Sequence, residues 1–328
     1  MLSRNEWDPL KKVIVGTATN AQIPKMDRSL RIINYADRSN ISDVRSGPYP
    51  DKVIDEANED LEKLCETLIS LDIEVVRPDP NHLPNYYNYC PRDTVLIHDQ
   101  TIIAAPMPLE SRAGEWISIH EHLSGYNIPI QDITLDRIPD LYNSNAIGNK
   151  QVLALHETVP AFDAANILRC NDNLFYLVSN TGNAHGYKHL QSLVGDNVKV
   201  WPVKNVYAYA HIDSTIALLR EGLMLLNPSR IRSIEQLPKP LQNWDVIWSP
   251  EPVDLGYHPG YAMASIWVWT VNLLSINPNL VIIEEHQTEL ARQLSKHKID
   301  SIMLPGRQQR TLSGGFHCVT LDLERDHH

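Results

Sequence analysis

The sequence predicts an α/β protein in which five ββαβ units close into a pseudo-symmetric, five-bladed propeller, and three observations carry that expectation. Residues that open apolar hairpins recur at a period near 50: Asp163 to Asp213 is 50 positions, Asp213 to Ser265 is 52 and Ser265 to Cys318 is 53. Behind each hairpin lie a helical pattern and one further short apolar β segment. A strand near each end, Lys12-Val13-Ile14-Val15-Gly16 and the one that starts at Cys318, has no neighbour in its own stretch of chain. Pairing those two strands closes the ring and removes an open edge, and units of roughly this length gain a core only by packing on one another.

Taken in order, the closing strands cover about 12–16 and about 318–323, so that 1–328 reads as a single domain. Residues 18–49 fall outside the repeat as a long, largely polar loop, a kind of segment that commonly serves as a lid. Val53, Ile54, Ala57, Leu61, Leu64, Cys65 and Leu68 recur at three- and four-residue spacing and predict the first helix, with a β segment at 73–76 behind it. Complete hairpins begin at Pro91, Phe162, His211 and Ala264, and a fifth copy from Gly314 stops after one strand. Helical patterns follow at 110–123, 185–194, 231–237 and 288–296, and closing β segments at 128–133, 198–203, 246–249 and 299–304. Asp93 to Asp163 spans 70 positions, and the excess places an insertion around 137–153.

Composition narrows the function. With 43% hydrophobic and 21% charged residues, the 328-residue chain has the make-up of a soluble globular protein. The most apolar run, 262–276, is interrupted by Ser265, Thr270, Asn272 and Ser275 and falls short of the roughly 20 apolar residues of a membrane span. The opening Met-Leu-Ser-Arg-Asn-Glu-Trp-Asp-Pro carries no apolar signal core, which makes the cytoplasm the expected location. A net charge of −11 without a basic stripe argues against nucleic acid and for small-molecule substrates. Cys65, Cys90, Cys170 and Cys318 form no C-x-x-C pair, so neither a zinc site nor a disulfide framework is expected.

Arranged around an axis, the residues that open the repeats, Asp93, Asp163, Asp213, Ser265 and Cys318, converge on one cavity. A single Asp before a strand is usually a turn former; three at matched positions point to a site. His211 and Asp213, two apart on a strand, share a face and enter the cavity together, where an imidazole beside a carboxylate has the make-up of a general acid/base. Cys318 follows Gly314-Gly315, which permit close backbone approach beside a reacting group, and its repeat register favours a nucleophile over the buried small hydrophobe that a lone Cys usually is. Cys65, on a helix face, and Cys170, within a strand, read as structural. Several carboxylates with a thiol suit a planar cation attacked at carbon, and guanidinium, with five N–H donors in a fixed fork, fits that description.

At these residues the chain resembles the amidinotransferase family over nearly its whole length, including the L-arginine:glycine enzyme and its cyanobacterial-toxin and inosamine-phosphate relatives. The resemblance rests on Asn5-Glu6-Trp7-Asp8-Pro9-Leu10 with Val13-Ile14-Val15-Gly16, on Phe162-Asp163-Ala164-Ala165, on His211-Ile212-Asp213 and on Gly314-Gly315-Phe316-His317-Cys318. It implies the five-bladed, pentein-like α/β propeller and catalysis within that one domain. It further implies that Cys318 is the thiolate that becomes amidinated, His211 the acid/base and Asp163 the carboxylate that orients His211. By the same resemblance Asp93 and Asp213 clamp the donor guanidinium, Arg230 takes the substrate carboxylate and Ser265 contacts substrate.

Two departures stand out. Ala264 occupies the place of a second serine beside Ser265, and the flap before His211 reads Tyr207-Ala208-Tyr209-Ala210 where glycine-using vertebrate enzymes carry Asn and Met around a proline. The small Ala208 and Ala210 leave room for an acceptor longer than glycine. The expected reaction is ping-pong transfer from L-arginine to a primary amine, glycine or a longer amino compound, releasing ornithine, without metal or organic cofactor. A guanidine-modifying hydrolase and a non-catalytic binding protein on the same fold remain as alternatives. The expected partners are the small-molecule substrates, with no nucleic acid and no membrane; a homodimer is left open.

Overall fold

The computed structural model describes residues 2–79, 88–207, 209–258 and 264–327. The chain begins with β1 (Leu10–Val15), followed by the short pair β2 (Gln22–Ile23) and β3 (Gly47–Pro48), which bracket helix α1 (Arg28–Ile33). Helix α2 (Asp51–Ser70) leads to β4 (Glu74–Val76). Four complete units come next. They comprise β5 (Val95–His98), β6 (Thr101–Ala104), α3 (His120–Ser124) and β7 (Ile130–Asp132); β8 (Ile167–Cys170), β9 (Asn173–Leu177), α4 (Ala184–Val194) and β10 (Lys199–Val203); β11 (Ile216–Arg220), β12 (Leu223–Leu226) and β13 (Asp245–Trp248); and β14 (Leu274–Asn277), β15 (Leu280–Glu284), α5 (Thr288–Lys296) and β16 (Asp300–Leu304). Strand β17 (Thr320–Arg325) ends the chain.

Each complete unit folds into a three-stranded sheet whose first two strands pair antiparallel and whose third lies parallel to the second. The fifth sheet has the order β17-β1-β4 and the same pattern. Val13 stands opposite Asp322 in the antiparallel pair and opposite Val75 in the parallel one. The two unpartnered strands of the sequence thus complete a blade from opposite ends of the chain, and the molecule is a five-bladed α/β propeller. Helix α2 buries Val53, Ala57, Leu61, Leu64, Cys65 and Leu68 against Val13 and Val15, and α5 lays Leu290 and Leu294 over Val281 and Ile283. No helix among the described residues is long and apolar enough to cross a membrane.

Four expectations need correction. The helical pattern at 110–123 is broken: Gly114 adopts φ +81°, and short 3₁₀ turns flank it, leaving only α3 regular. At 231–237 a single 3₁₀ turn, Ile234–Gln236, is capped by Ser233 and followed by Pro238, which has no N–H to continue a helix. The residues that open the hairpins do not begin strands. 3₁₀ turns at Pro91–Asp93, Ala164–Asn166 and Ile266–Trp269 come first and lift those residues off the sheets. Nor is 18–49 simply a polar loop: Asp27 caps α1 through Leu30 N at 2.8 Å, and Leu30, Ile32, Ile33 and Tyr35 form an apolar cluster with Leu141, Tyr142, Ala146, Ala154 and Leu155 of the insertion.

The strands that lead the blades meet over a buried set of charges. Arg169 on β8 donates to Glu6 through its backbone N (2.9 Å), Nε (3.0 Å) and Nη2 (2.7 Å), and to both oxygens of Asp322 on β17 (2.8 and 2.7 Å). Arg92 and Arg325 complete the set against Asp322 at 2.5 and 2.7 Å. Glu6 reaches it because the Asn5 side chain folds the segment, its Oδ1 accepting from Trp7 N and Asp8 N. Burial pushes the Glu6 and Asp322 carboxyls up, but the surrounding guanidinium groups, with His317 hydrogen-bonded to Glu6, outweigh it and hold both well below the usual range.

Replacing Arg169 with alanine removes the guanidinium that bridges Glu6 and Asp322 most closely and leaves Glu6 with Arg92 only at 3.5 Å, a change that should cost about 3–5 kcal/mol and appear as a lowered urea midpoint at neutral pH. Depressed carboxylates contribute stability above their ordinary titration range and lose it as pH falls through their folded values. The gap between wild type and Arg169→Ala should therefore narrow on acidification below pH 4.5, the ordinary glutamate value; a gap that stays constant would contradict this account.

Candidate active site

A cavity lies where the lead-in turns of the blades converge, and Asp93, Asp163, Asp213, Ser265 and Cys318 all line it. Each comes from a different blade, so the matched register of the sequence becomes a shared location. His211 and Ala210 line it too, whereas Ala208 lies outside the described residues. One expected detail is wrong: His211 and Asp213 are not on a strand. They occupy the turn before β11, and His211 has φ +57°, in the left-handed region. Its backbone N donates to Asn166 Oδ1 at 3.2 Å, and that turn brings the ring into the cavity.

His211 Nε2 lies 2.9 Å from Asp163 Oδ2, and Nδ1 lies 3.7 Å from Asp93 Oδ1. Burial opposes charge on this ring, yet Asp93, Asp163 and a hydrogen bond with Cys318 outweigh it and raise its pKa well above the ordinary histidine value. Cys318 is 3% exposed. Its Sγ donates to Asp213 Oδ2 at 3.1 Å and accepts from Asn272 Nδ2 at 3.1 Å, while its backbone N donates to Asn272 Oδ1 at 3.0 Å. A hydrogen bond with Cys90, burial and the Asp213 charge together push the thiol well above its usual range, with His211 pulling the other way.

The carboxylates differ in what holds them. Asp93 accepts from Arg112 Nη1 at 2.7 Å through Oδ2, and burial raises it above its usual value despite His211 and Arg112. Burial would raise Asp213 also, but His317 and His211 outweigh it and leave it lowered. Oδ1 of Asp93 and Oδ1 of Asp163 are buried without a hydrogen-bond partner among the described residues. Acceptors left in that state suit a ligand rich in N–H donors. A thiol, a protonated imidazole and several carboxylates around one cavity can therefore bind a guanidinium, attack its carbon and supply a proton to the nitrogen that leaves.

Arg230 sits differently from the expectation. Its side chain is not part of the cavity wall: Nη1 donates to Ser214 O, Ser214 Oγ and Thr215 Oγ1 at 2.9, 2.8 and 2.7 Å, and the guanidinium stacks 3.5 Å from the Tyr207 ring centroid. Ser214 and Tyr207 do form wall, so Arg230 stands one side chain behind it. Ser265 Oγ accepts from Trp267 N at 3.4 Å, capping a 3₁₀ turn at the cavity edge.

Several site residues escaped the sequence reading. Asn272, Arg112 and Cys90 come from positions with no repeat signal; His317, beside Cys318 in the chain, was within reach. Gly314 is needed where it stands, since a Cβ there would lie 2.4 Å from Cys90 Sγ and 3.0 Å from Cys318 Cβ. Asp93, His211 and Cys318 present atoms within 4.8 Å of one another, a spacing that would admit a metal ion and equally serves proton transfer to and from a thiol. In a second such cluster, Glu284, Glu285 and His286, Glu284 already accepts from His286 and Gln287.

No family model matches the chain. Among characterised relatives, an inosamine-phosphate amidinotransferase of Streptomyces griseus is 40% identical across 98% of this chain and 96% of its own. An L-arginine:L-lysine amidinotransferase of Pseudomonas savastanoi pv. phaseolicola and a mitochondrial glycine amidinotransferase of Xenopus tropicalis are each 27% identical across 98% of this chain and 94% and 82% of theirs. The solved inosamine-phosphate amidinotransferase of S. griseus superposes with a TM-score of 0.93 at 39% identity, covering all of this chain and 97% of its own. An amidinotransferase of saxitoxin biosynthesis from Microseira wollei follows at 0.88 and 26%, covering 100% and 98%. DDAH from Pseudomonas aeruginosa, at 0.61 and 18% over 95% and 99%, shares the pentein fold alone. A five-bladed ring with this cavity, matched along its length by enzymes at 39–40% identity, places the chain in the amidinotransferase family.

Proposed function

We propose that this protein moves the amidino group of L-arginine to a primary amine through an amidino-cysteine on Cys318. The observation that carries the reading is the convergence of Cys318, His211 and three aspartates on one cavity, with two buried carboxylate oxygens open to N–H donors. In this account Asp93 and Asp213 bracket the guanidinium, and its arriving charge offsets the carboxylates that hold the thiol protonated. Cys318 then loses its proton and attacks the guanidinium carbon. His211, which carries a proton at the start, gives it to the departing nitrogen and takes up the one that Cys318 releases, ornithine leaves, and a cationic S-amidino group remains. The acceptor amine attacks the same carbon, the C–S bond breaks, and the proton that the amine loses passes by way of His211 to the sulfur, which restores the thiol. The high pKa of His211 suits the first half, which needs an acid. Asp163, at 2.9 Å, orients the ring.

Arg230 is the cation closest in role to the arginine carboxylate. Its hydrogen-bond partners are the Ser214 and Thr215 hydroxyls and the Ser214 carbonyl, Tyr207 stacks on it, and Asp213 acts on it through its charge. For the acceptor, the reading favours an amine bulkier than glycine, of the inosamine-phosphate kind. It is supported by 40% identity to an enzyme of that name against 27% to the glycine and lysine enzymes, and by Ala210 and Ala264 as small wall residues.

Cys318→Ala should abolish turnover while arginine still binds, and intact-protein mass spectrometry of wild type with arginine alone should place an amidino adduct on Cys318. An adduct on Cys65, Cys90 or Cys170 would overturn the assignment, and citrulline in place of ornithine with a guanidino product would make the enzyme a hydrolase.

Arg230→Ala should raise the arginine KM with little change in kcat, and the penalty should shrink for a guanidine donor that lacks a carboxylate. An equal loss with both donors would place Arg230 elsewhere in the reaction.

Replacing Ala208 and Ala210 with Asn and Met should shift preference toward glycine and leave amidino-cysteine formation nearly unchanged. Discrimination by one or a few methylenes is worth about 1–3 kcal/mol, so competition between glycine and a larger amine should show a shift in ranking rather than an absolute switch. An unaltered ranking would exclude the flap from acceptor choice.

A further inference from the structure

The nucleophile is connected to the buried charges behind it by a chain of side chains that the reaction as described does not use. His317 Nδ1 lies 2.9 Å from Asp213 Oδ2, the same oxygen that accepts from Cys318 Sγ at 3.1 Å. The other ring nitrogen, Nε2, lies 3.2 Å from Glu6 Oε2, which Arg169 Nη2 holds at 2.7 Å. The His317 backbone is pinned as well: its N donates to Asn272 O at 3.2 Å, and its O accepts from Arg92 Nε at 3.2 Å. His317 does not line the cavity, so it does not reach a substrate there.

We propose that His317, held from behind by Glu6, is a positioning residue of the reaction: it fixes Asp213 against Cys318 and offsets the carboxylate's charge, so that the thiol ionises where the guanidinium binds. A thiolate at Cys318 would stand 3.1 Å from a carboxylate oxygen, a like-charge contact that disfavours ionisation. A donor on that same oxygen draws off its charge at the point where the sulfur meets it. The lowered pKa of Asp213, to which the His317 hydrogen bond contributes against burial, agrees with this arrangement. Glu6, on the nitrogen opposite Asp213, fixes the plane of the ring and so supports Asp213 through it.

The inference rests on reading Cys318 as the nucleophile, but its test needs no arginine, so the two can fail separately. The rate of Cys318 alkylation by iodoacetamide, followed by peptide mass spectrometry across pH, reports thiol ionisation. The groups facing the thiol, Asp213, Asn272, Cys90, His211 and Asp93, are left unsubstituted in every variant. His317→Asn offers an amide donor near Nδ1 and keeps the contact to Asp213; His317→Gln offers one near Nε2 and keeps the contact to Glu6. The expected result is a midpoint close to wild type for Asn and raised by about one pH unit for Gln, with the neutral-pH alkylation rate and the rate of amidino-cysteine formation falling about ten-fold in Gln. His317→Phe, which retains ring volume without either nitrogen, should shift at least as far as Gln. A purely structural role would lower thermal stability in these variants without moving the midpoint. Equal midpoints for Asn and Gln, or a wild-type midpoint in folded Phe variant, would overturn the proposal, and the Asn–Gln comparison decides it should the Phe variant not fold.

Discussion

Burying the Arg169 guanidinium strips it of water, and such a loss is repaid only where carboxylates reach it in good geometry. Here they come from far apart in the chain: Glu6 from the N-terminal segment and Asp322 from the last strand, with Arg92 and Arg325 sharing the second. Leaving out any one of these groups leaves the others charged and buried. The blades are therefore tied in a single arrangement about that centre, and the turns that carry Asp93, Asp163 and Cys318 start from the residues it fixes. Asp93 directly follows Arg92. The turn from Ala164 to Asn166 runs into β8, which carries Arg169, and His317, the residue before the proposed nucleophile, joins Glu6 to Asp213.

The same centre shapes the electrostatics of the cavity. Asp213 is kept ionised by histidines, whereas Asp93, buried beside Asp213, is pushed up. Next to them Cys318 holds its proton more tightly than an ordinary thiol, and His211 does likewise among its aspartates. Glu115, pushed up to about 8 by burial in spite of Arg112, shows how far the desolvated surroundings oppose negative charge even beside a guanidinium.

The repeats supply this chemistry, while the segments that depart from the repeat supply part of the wall. Ile23, Leu30, Asn34, Tyr35 and Tyr49 line the cavity, and the Tyr209 hydroxyl donates to Asn34 O at 3.1 Å, joining the segment before His211 to segment 18–49. That segment packs through Leu30, Ile32 and Ile33 on Leu141, Tyr142 and Leu155.

Much of this was legible in the sequence, for a physical reason. Apolar alternation and a period near 50 are local properties of the chain, so five blades, the closing pair β1–β17, helices α2, α4 and α5, and the convergence of Asp93, Asp163, Asp213, Ser265 and Cys318 could be read directly. Local pattern failed where one glycine or proline overrode it, at 114 and 238, and where a polar-looking lid found an apolar partner more than 100 residues away. What tertiary structure alone decided is which atoms meet: Asn272 grips both the amide and the sulfur of Cys318, Arg112 takes one oxygen of Asp93 and leaves the other open, and Arg230 stands behind Tyr207 rather than in the cavity. Such contacts depend on the angle at which separate blades approach, a property of the assembled ring that no single stretch of sequence encodes.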